Sequence, residues 1–171
     1  MAEARWLLCT DLDGTVLGSD VGESAFRLWA EGVGERLRLA YVTGRSIDSV
    51  RQLISSGRIP AADYAAVAVG TEVWDLRDPQ NRVGQHYRSL VDPQCPVARY
   101  RELGRSEATP LQGPEGQGPF KASFLWNGEA QALEDFKRRL DPLYDHHIQA
   151  TAGTYLDVLP HCFSKGQAVR F

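Results

Sequence analysis

Asp11-Leu12-Asp13-Gly14-Thr15 places two carboxylates two positions apart, directly after the apolar run Trp6-Leu7-Leu8-Cys9. A strand that ends in Asp-x-Asp presents both side chains at the carboxyl edge of a sheet, where open parallel α/β folds bind their ligands. Two neighbouring carboxylates repel each other unless a cation, a proton or a metal-bound phosphate offsets their charge. The stretch alone leaves two interpretations open, a catalytic site and a strand that stops at an ordinary polar turn.

The first half of the chain alternates between apolar runs and amphipathic stretches, a rhythm that indicates βαβ units and a parallel sheet. Polar clusters follow each of three predicted strands, which are the buried strand Trp6–Thr10, then Leu37–Thr43 and Tyr64–Gly70. Helices are predicted between them over Glu23–Gly34, entered by Ser19 and Asp20, and over Ile47–Ser56, with Ser46 as N-cap. The three polar strand ends are therefore expected to converge on one site.

Asp, Arg, Pro, Asn and Gln accumulate after Trp74 through Val83, which predicts a break between substructures. The following segment reads as a small α+β unit of two helices against an antiparallel sheet. Its predicted helices are Pro93–Leu103 and Glu129–Leu140, its loop is Pro110–Pro119, and its strands are Lys121–Trp126, Tyr144–Thr151 and Thr154–Leu159, with a tight turn at Gly153. Ser164 then reads as the N-cap of a further helix that contains Lys165.

Composition excludes several classes of protein. The 171 residues are 43% hydrophobic with a formal net charge of −3, which supplies no basic field for nucleic acid or an anionic membrane. No stretch approaches a membrane span or a signal peptide, so a cytoplasmic protein is expected. The three cysteines are far apart and predict free thiols, and the His146-His147 pair would point to opposite faces of a strand, which argues against a shared metal.

Four ordered stretches together resemble phosphatases of the haloacid dehalogenase (HAD) superfamily, and within it the sucrose-phosphate phosphatase group. They are Asp11–Thr15, Tyr41–Ser46, Gly70–Glu72 with Trp74, and Tyr155–Pro160 followed by Ser164–Ala168. The resemblance implies an α/β fold with a HAD-like Rossmannoid parallel sheet as core and an inserted α+β cap domain of the C2 type. The core is expected over residues 1–82 and 160–171, and the cap over residues 83–159.

The resemblance also implies a mechanism. Asp11 is expected to be the nucleophile that forms an aspartyl-phosphate, and Asp13 the general acid and base. Thr43 and the Gly44 amide would hydrogen-bond the phosphoryl oxygens, while Lys165 would face the phosphate and Asp11 as a point charge. The implied cofactor is Mg²⁺, held by Asp11 and Asp13. Further substrate-binding residues implied by the resemblance are Arg45, Thr71, Glu72, Lys121 and Asp157; Trp74 and Trp126 could stack on a sugar or belong to the core.

One departure from the family pattern affects the metal site. The family's fourth motif, of the form Gly-Asp-x-x-x-Asp, follows the lysine by a few tens of residues and is not present in this sequence. We therefore expect a chain truncated at its C-terminus, with an incomplete core sheet, an exposed sheet edge and impaired activity.

Two functions remain open. One is an Mg²⁺-dependent phosphatase acting on sucrose 6-phosphate, or on mannosyl-3-phosphoglycerate, glucosylglycerol phosphate or trehalose 6-phosphate. The other is a noncatalytic sugar-phosphate-binding or regulatory module associated with a sucrose-phosphate synthase. Because a binding module needs no nucleophile, the aspartate pair favours the enzyme. The sequence does not indicate an oligomeric state.

Overall fold

The computed structural model describes residues 6–90, 95–143, 146–151 and 154–171. The chain divides into two compact units, one formed by Met1–Leu90 with Lys165–Phe171 and the other by Val91–Ser164. These boundaries differ from the predicted ones at 82/83 and 159/160, because the helix that follows residue 81 packs with the first unit. The assignment of core and cap domains itself stays a prediction.

The first unit is built on a four-stranded sheet in the order β1-β2-β3-β4. The strands are β1 (Trp6–Thr10), β2 (Leu37–Val42), β3 (Tyr64–Val67) and β4 (Glu72–Asp75). β1 pairs with β2 and β2 with β3 in parallel, as predicted, whereas β3 and β4 form an antiparallel pair. The helices of this unit are α1 (Asp20–Val33), α2 (Ile47–Ser55), α3 (Arg82–Arg88) and α6 (Lys165–Arg170).

Two predicted helix starts of this unit are confirmed, those of α1 and α2. The Ser19 hydroxyl accepts from the Gly22 amide at the start of α1, and the Ser46 hydroxyl accepts from the Ser49 amide at the start of α2. Each cap satisfies a backbone N–H that has no partner inside its helix. Gly34 ends α1 with a φ of 59°, a conformation that favours glycine.

Three expectations for this unit were wrong. The strand predicted over Tyr64–Gly70 ends at Val67, and a 3₁₀ segment over Ala68–Gly70 follows it. No helix was predicted over Arg82–Arg88, which forms helix α3. β1 was expected to be a buried strand, but it lies at the edge of the sheet in the described part of the chain, and Trp6 and Leu7 are exposed.

The second unit packs two helices on one face of a three-stranded antiparallel sheet, as predicted. Its helices are α4 (Val97–Gly104) and α5 (Ala130–Leu140), and its strands β5 (Ala122–Leu125), β6 (His146–Thr151) and β7 (Tyr155–Pro160) lie in the order β5-β7-β6. The predicted starts at Pro93 and Tyr144 and the turn at Gly153 lie outside the described residues. The core of this unit is formed by Val97, Tyr100, Ala122, Phe124, Phe136, Leu140, Leu156 and Val158.

Strand alternation gives this sheet a second, polar face. Phe124 and Leu156 are paired in the core, so their neighbours Ser123 and Asp157, which are also paired, point to the opposite side. No helix in the described residues is long and apolar enough to cross a membrane.

Candidate functional site

Parallel pairing brings the ends of β1 and β2 together in the first unit. Thr10 and Tyr41 are register partners, so Asp11 and Thr43 leave the sheet at the same edge. The two sequence motifs that begin at these residues therefore meet, as their positions after predicted parallel strands indicated.

Asp11 forms the centre of the site through contacts from both ends of the chain. Its Oδ1 accepts from the Leu12 amide at 2.7 Å, and its Oδ2 accepts from Lys165 Nζ at 2.7 Å. The two side chains stay 42% and 31% exposed, so solvent or a ligand can reach this ion pair. Lys165 is the first residue of α6, which packs against β3 and the 68–70 segment.

The turn after β1 orients the two aspartates. Leu12 lies between them and is fully buried, and its carbonyl accepts from the amides of Thr15, Val16 and Leu17. Gly14 adopts a φ of 72° in this turn, a conformation that glycine takes without steric cost. Burial of Leu12 anchors the turn, and Asp13 remains 56% exposed.

Thr43 is a fully buried polar residue at the end of β2. Its amide donates to the Ala66 carbonyl at 2.9 Å, and its hydroxyl oxygen accepts from the Arg45 amide at 3.2 Å. A Cβ added at Gly44 would meet only Val69 Cγ2, at 3.8 Å, so protein packing does not require glycine there.

The 3₁₀ segment Ala68–Gly70 is hydrogen-bonded to the loop Thr43–Arg45. The Ala68 amide donates to the Arg45 carbonyl at 2.8 Å, and the Val69 amide donates to the Thr43 carbonyl at 3.1 Å. Ala68 and Val69 have φ values of 49° and 63°, which are unfavourable for these side chains. Such conformations persist only where surrounding contacts enforce them, and they cluster at functional sites.

Arg45 and Thr71 have contacts that the sequence did not indicate. The Arg45 guanidinium forms a bidentate pair with Asp13, and its Nη1 donates to Ser49 Oγ at 3.1 Å. The Thr71 hydroxyl donates to the Ala68 carbonyl at 2.9 Å, which ties the strained segment together. Glu72 begins β4 opposite Val67 and is half-buried.

The predicted residues of the second unit form a buried ion pair. Lys121 Nζ lies 3.4 Å from Asp157 Oδ1, and the two side chains are only 6% and 8% exposed. The contact lacks hydrogen-bond geometry, so Asp157 Oδ1 is buried without a hydrogen-bond donor in the described structure.

Both tryptophans considered for sugar stacking pack against the cores of their units. Trp74 is half-buried against the first core with the Arg51 guanidinium 4.8 Å from its ring centroid, and Trp126 packs against the second core. These contacts favour the alternative in which both rings belong to the core.

The remaining candidate groups give no metal centre among the described residues. No cluster of three His, Cys, Asp or Glu side chains occurs there, and none of the three cysteines forms a disulfide. Burial raises the pKa of the Cys9 thiol, two residues before Asp11, which keeps it protonated. Burial, with His161 and His146 nearby, lowers the pKa of His147 in the second unit.

Comparison with known proteins agrees with this arrangement. The model of the sucrose-6F-phosphate phosphohydrolase family matches residues 4–171. The chain is 29% identical over 164 residues to a glucosylglycerol-phosphate synthase of Pseudomonas anguilliseptica, covering 96% of this chain and 21% of the synthase. It is 29% identical over 167 residues to the mannosylfructose-phosphate phosphatase of Agrobacterium fabrum, covering 95% of this chain and 67% of the phosphatase.

A solved structure has the same fold. The sucrose-phosphatase of Synechocystis sp. PCC6803, in complex with sucrose and phosphate, superposes with a TM-score of 0.84 at 24% identity, covering 98% of this chain and 69% of that one. This chain thus spans about a fifth of the synthase and about two thirds of both phosphatases. The chain belongs to the sucrose-6F-phosphate phosphohydrolase family, whose members are HAD-type sugar phosphatases, and it has their HAD-like α/β fold.

Proposed function

We propose that this chain carries the catalytic carboxylates of a phosphatase that hydrolyses a sugar phosphate, with sucrose 6-phosphate as the leading substrate. The observation that carries the proposal is the accessible ion pair between Asp11 and Lys165, which are 154 residues apart. A carboxylate that must attack an anionic phosphate needs a nearby cation, and Lys165 supplies one.

In this mechanism an Asp11 oxygen forms a bond to phosphorus while the bond from phosphorus to the sugar oxygen breaks. Asp13, in its acid form, gives its proton to the departing sugar oxygen. Water then attacks the aspartyl-phosphate, Asp13 accepts its proton, and inorganic phosphate is released. Lys165 offsets the negative charge that develops on the phosphoryl oxygens.

Thr43 and Gly44 are proposed to bind the phosphoryl group. Within the described residues the Thr43 hydroxyl accepts a hydrogen bond but donates to no protein group, so its hydrogen is available to an anion. Protein packing at position 44 does not require glycine, because an added Cβ would have room. A close approach of the phosphate to the Gly44 amide would explain the glycine at this position, because a side chain is absent and the ligand can reach the backbone.

Magnesium is proposed as the cofactor. Mg²⁺ is usually held by one or two carboxylates together with substrate phosphate and water, and the accessible Asp11 carboxylate fits that mode. Asp11 and the backbone carbonyl of Asp13 would hold the ion, and it would offset the charge between the nucleophile and the phosphoryl group.

The other residues predicted to bind substrate remain proposals. The buried Asp157 Oδ1, which lacks a hydrogen-bond donor, and the adjacent Lys121 ammonium provide an acceptor and a donor of the kind that sugar hydroxyls require. Glu72 and Thr71 are proposed on the sequence resemblance alone.

Turnover by the full chain tests the proposal. The chain is assayed with Mg²⁺ for phosphate release from sucrose 6-phosphate, glucosylglycerol phosphate, mannosyl-3-phosphoglycerate and trehalose 6-phosphate. We expect one sugar phosphate to be hydrolysed and Asp11→Asn to abolish turnover without loss of ligand binding. Turnover that survives in Asp11→Asn would rule out Asp11 as the nucleophile.

Gly44→Ala provides a matched test of the proposed phosphate-binding loop, Thr43 and Gly44. The added methyl group meets nothing closer than 3.8 Å in the protein, so the free energy of unfolding should not fall. Phosphate binding should weaken, because the methyl group would occupy the path of the ligand. Unchanged affinity for inorganic phosphate would argue against a role for the Gly44 amide.

A noncatalytic module is the second candidate function. The match to a fifth of a glucosylglycerol-phosphate synthase favours it, since a related domain there is part of a synthase. In this case the chain would bind a sugar phosphate and associate with a sucrose-phosphate synthase. Sugar-phosphate binding that is equal in wild type and Asp11→Asn, with no turnover in either and with binding of the chain to a sucrose-phosphate synthase, would select this alternative.

A further inference from the structure

Each nitrogen of the Arg45 guanidinium donates a hydrogen bond within the protein. Its Nε donates to Asp13 Oδ2 at 2.9 Å and to Asp13 Oδ1 at 3.2 Å, and its Nη2 donates to Asp13 Oδ1 at 2.6 Å. Its Nη1 donates to Ser49 Oγ at 3.1 Å. All three nitrogens therefore have protein acceptors, although the sequence predicted a substrate-binding arginine.

The Arg45 end of this contact is attached to fixed backbone. The Arg45 amide donates to Thr43 Oγ1 and its carbonyl accepts from the Ala68 amide, so the backbone is held on both sides of the side chain. Ser49 lies in the first turn of α2, next to the fully buried Val50. The bidentate contact therefore fixes the direction of the Asp13 carboxylate as well as its distance.

The two cations of the site are divided between its two carboxylates according to their chemistry. Lys165 contacts a single oxygen of Asp11 as a compact point charge, which leaves the remainder of that carboxylate accessible. Arg45 contacts both oxygens of Asp13 with a planar fork, which constrains orientation. A nucleophile requires access, whereas a proton donor must point at one atom of the leaving group.

We propose that Arg45 is a positioning residue that holds Asp13 in the direction needed for proton transfer and does not bind the substrate. The proposal rests on the proposed function, in which Asp13 is the general acid and base. Ser49 holds the guanidinium in place, and the strained 68–70 segment holds the backbone of Arg45.

Two substrates with different leaving groups separate positioning from substrate binding. A sugar phosphate needs its leaving oxygen protonated, whereas p-nitrophenyl phosphate releases a stabilised anion. We expect Arg45→Gln to lower kcat for the sugar phosphate about 10- to 100-fold, a part of the effect of general acid–base catalysis. kcat/KM for p-nitrophenyl phosphate, which reports formation of the aspartyl-phosphate and not its Asp13-assisted hydrolysis, should change less than about threefold, and KM should not rise for either substrate.

Three further variants complete the comparison. Arg45→Lys should recover little activity, because an ammonium cannot reproduce the fork. The double variant Arg45→Gln/Asp13→Asn should be no worse than Asp13→Asn alone, since one residue acts through the other. Arg51→Gln is the matched control, because this arginine lies on α2, the helix that follows Arg45, and stacks on Trp74; it should leave both activities unchanged. An equal rise in KM for both substrates in Arg45→Gln, or additive losses in the double variant, would overturn the proposal.

A spectroscopic measurement decides the question even without turnover. The ¹⁵Nε–¹Hε signal of Arg45, assigned by its loss in Arg45→Lys, should be protected from exchange in the wild-type chain. Asp13→Asn should shift it and speed its exchange at least about tenfold, since the charged acceptor is lost. An unchanged signal in Asp13→Asn would show that the contact does not hold Arg45 in solution and would overturn the proposal. A chain with this signal but without turnover on any phosphate would contradict the proposed function and leave the contact established.

Discussion

Replacement of Gly104 by alanine should destabilise the second unit, because two fully buried rings occupy the space that a methyl group would need. Gly104 is the last residue of α4, and a Cβ built on it would lie 2.5 Å from Phe124 Cζ and 2.9 Å from Phe136 Cε2. The two rings pack edge to face with their centroids 5.0 Å apart, and neither is exposed. Overpacking of such a core costs about 1–3 kcal/mol.

Gly32→Ala is the matched control, since Gly32 lies in α1 with nothing within 4 Å of an added Cβ. Alanine is favoured over glycine in a helix by up to about 1 kcal/mol, so this variant should be as stable as the wild type or more so. Hydrogen exchange under mild denaturant measures the protection of backbone amides in each unit separately. Gly104→Ala should reduce amide protection in β5 and β7 and leave β2 and β3 unchanged. Full protection of β5 and β7 in Gly104→Ala would refute the packing of Gly104 against both rings.

Three other outcomes are expected. Thr43→Val should weaken binding of inorganic phosphate about 10- to 150-fold by calorimetry, because a hydrogen bond to a charged group contributes about 1.5–3 kcal/mol. Thr43→Ser keeps the hydroxyl and should bind phosphate normally. Equal phosphate affinity in the two variants would contradict the role of the hydroxyl. Asp157→Asn should cost about 3–5 kcal/mol in urea unfolding, because it leaves the buried Lys121 ammonium without a counter-charge, whereas Asp135→Asn at an exposed pair should cost under about 1 kcal/mol. Folding lowers the pKa of His147 below 6.5, so the unfolded chain binds a proton first as the pH falls. The free energy of unfolding should therefore decrease below about pH 6.5. An equally steep decrease in His147→Asn would contradict this assignment.

Local sequence signals predicted the parts of the site that depend on neighbouring residues. The Asp-x-Asp motif and Thr43 follow apolar runs, and parallel pairing alone suffices to bring such strand ends together. Ser46 and Ser19 satisfy helix ends within three residues of themselves, so their capping roles were also predictable. These features need only local geometry and one general rule of sheet topology.

Features that depend on distant contacts were not predictable in the same way. The run Tyr64–Gly70 is uniformly apolar, and neither alanine nor valine favours a left-handed backbone, so nothing in it indicated that the strand ends at Val67. The turn is enforced by hydrogen bonds to Thr43 and Arg45, which lie far back in the chain. The pairing of Arg45 with Asp13 likewise joins residues 32 positions apart, and the charge of Arg45 alone did not indicate this contact.

The strained 68–70 segment links the two halves of the candidate site. Left-handed conformations at Ala68 and Val69 cost about 1–3 kcal/mol each, and each backbone hydrogen bond to the Thr43–Arg45 loop returns only about 1 kcal/mol. The balance must come from packing around the segment, where the Tyr87 hydroxyl of α3 donates to the Gly70 carbonyl and α6 packs against the segment. Because α6 begins with Lys165, the contacts that keep this segment strained also place the lysine beside Asp11. The Thr43–Arg45 loop and Lys165 are thus held by one piece of backbone, which explains why residues from both ends of the sequence meet within hydrogen-bonding distance.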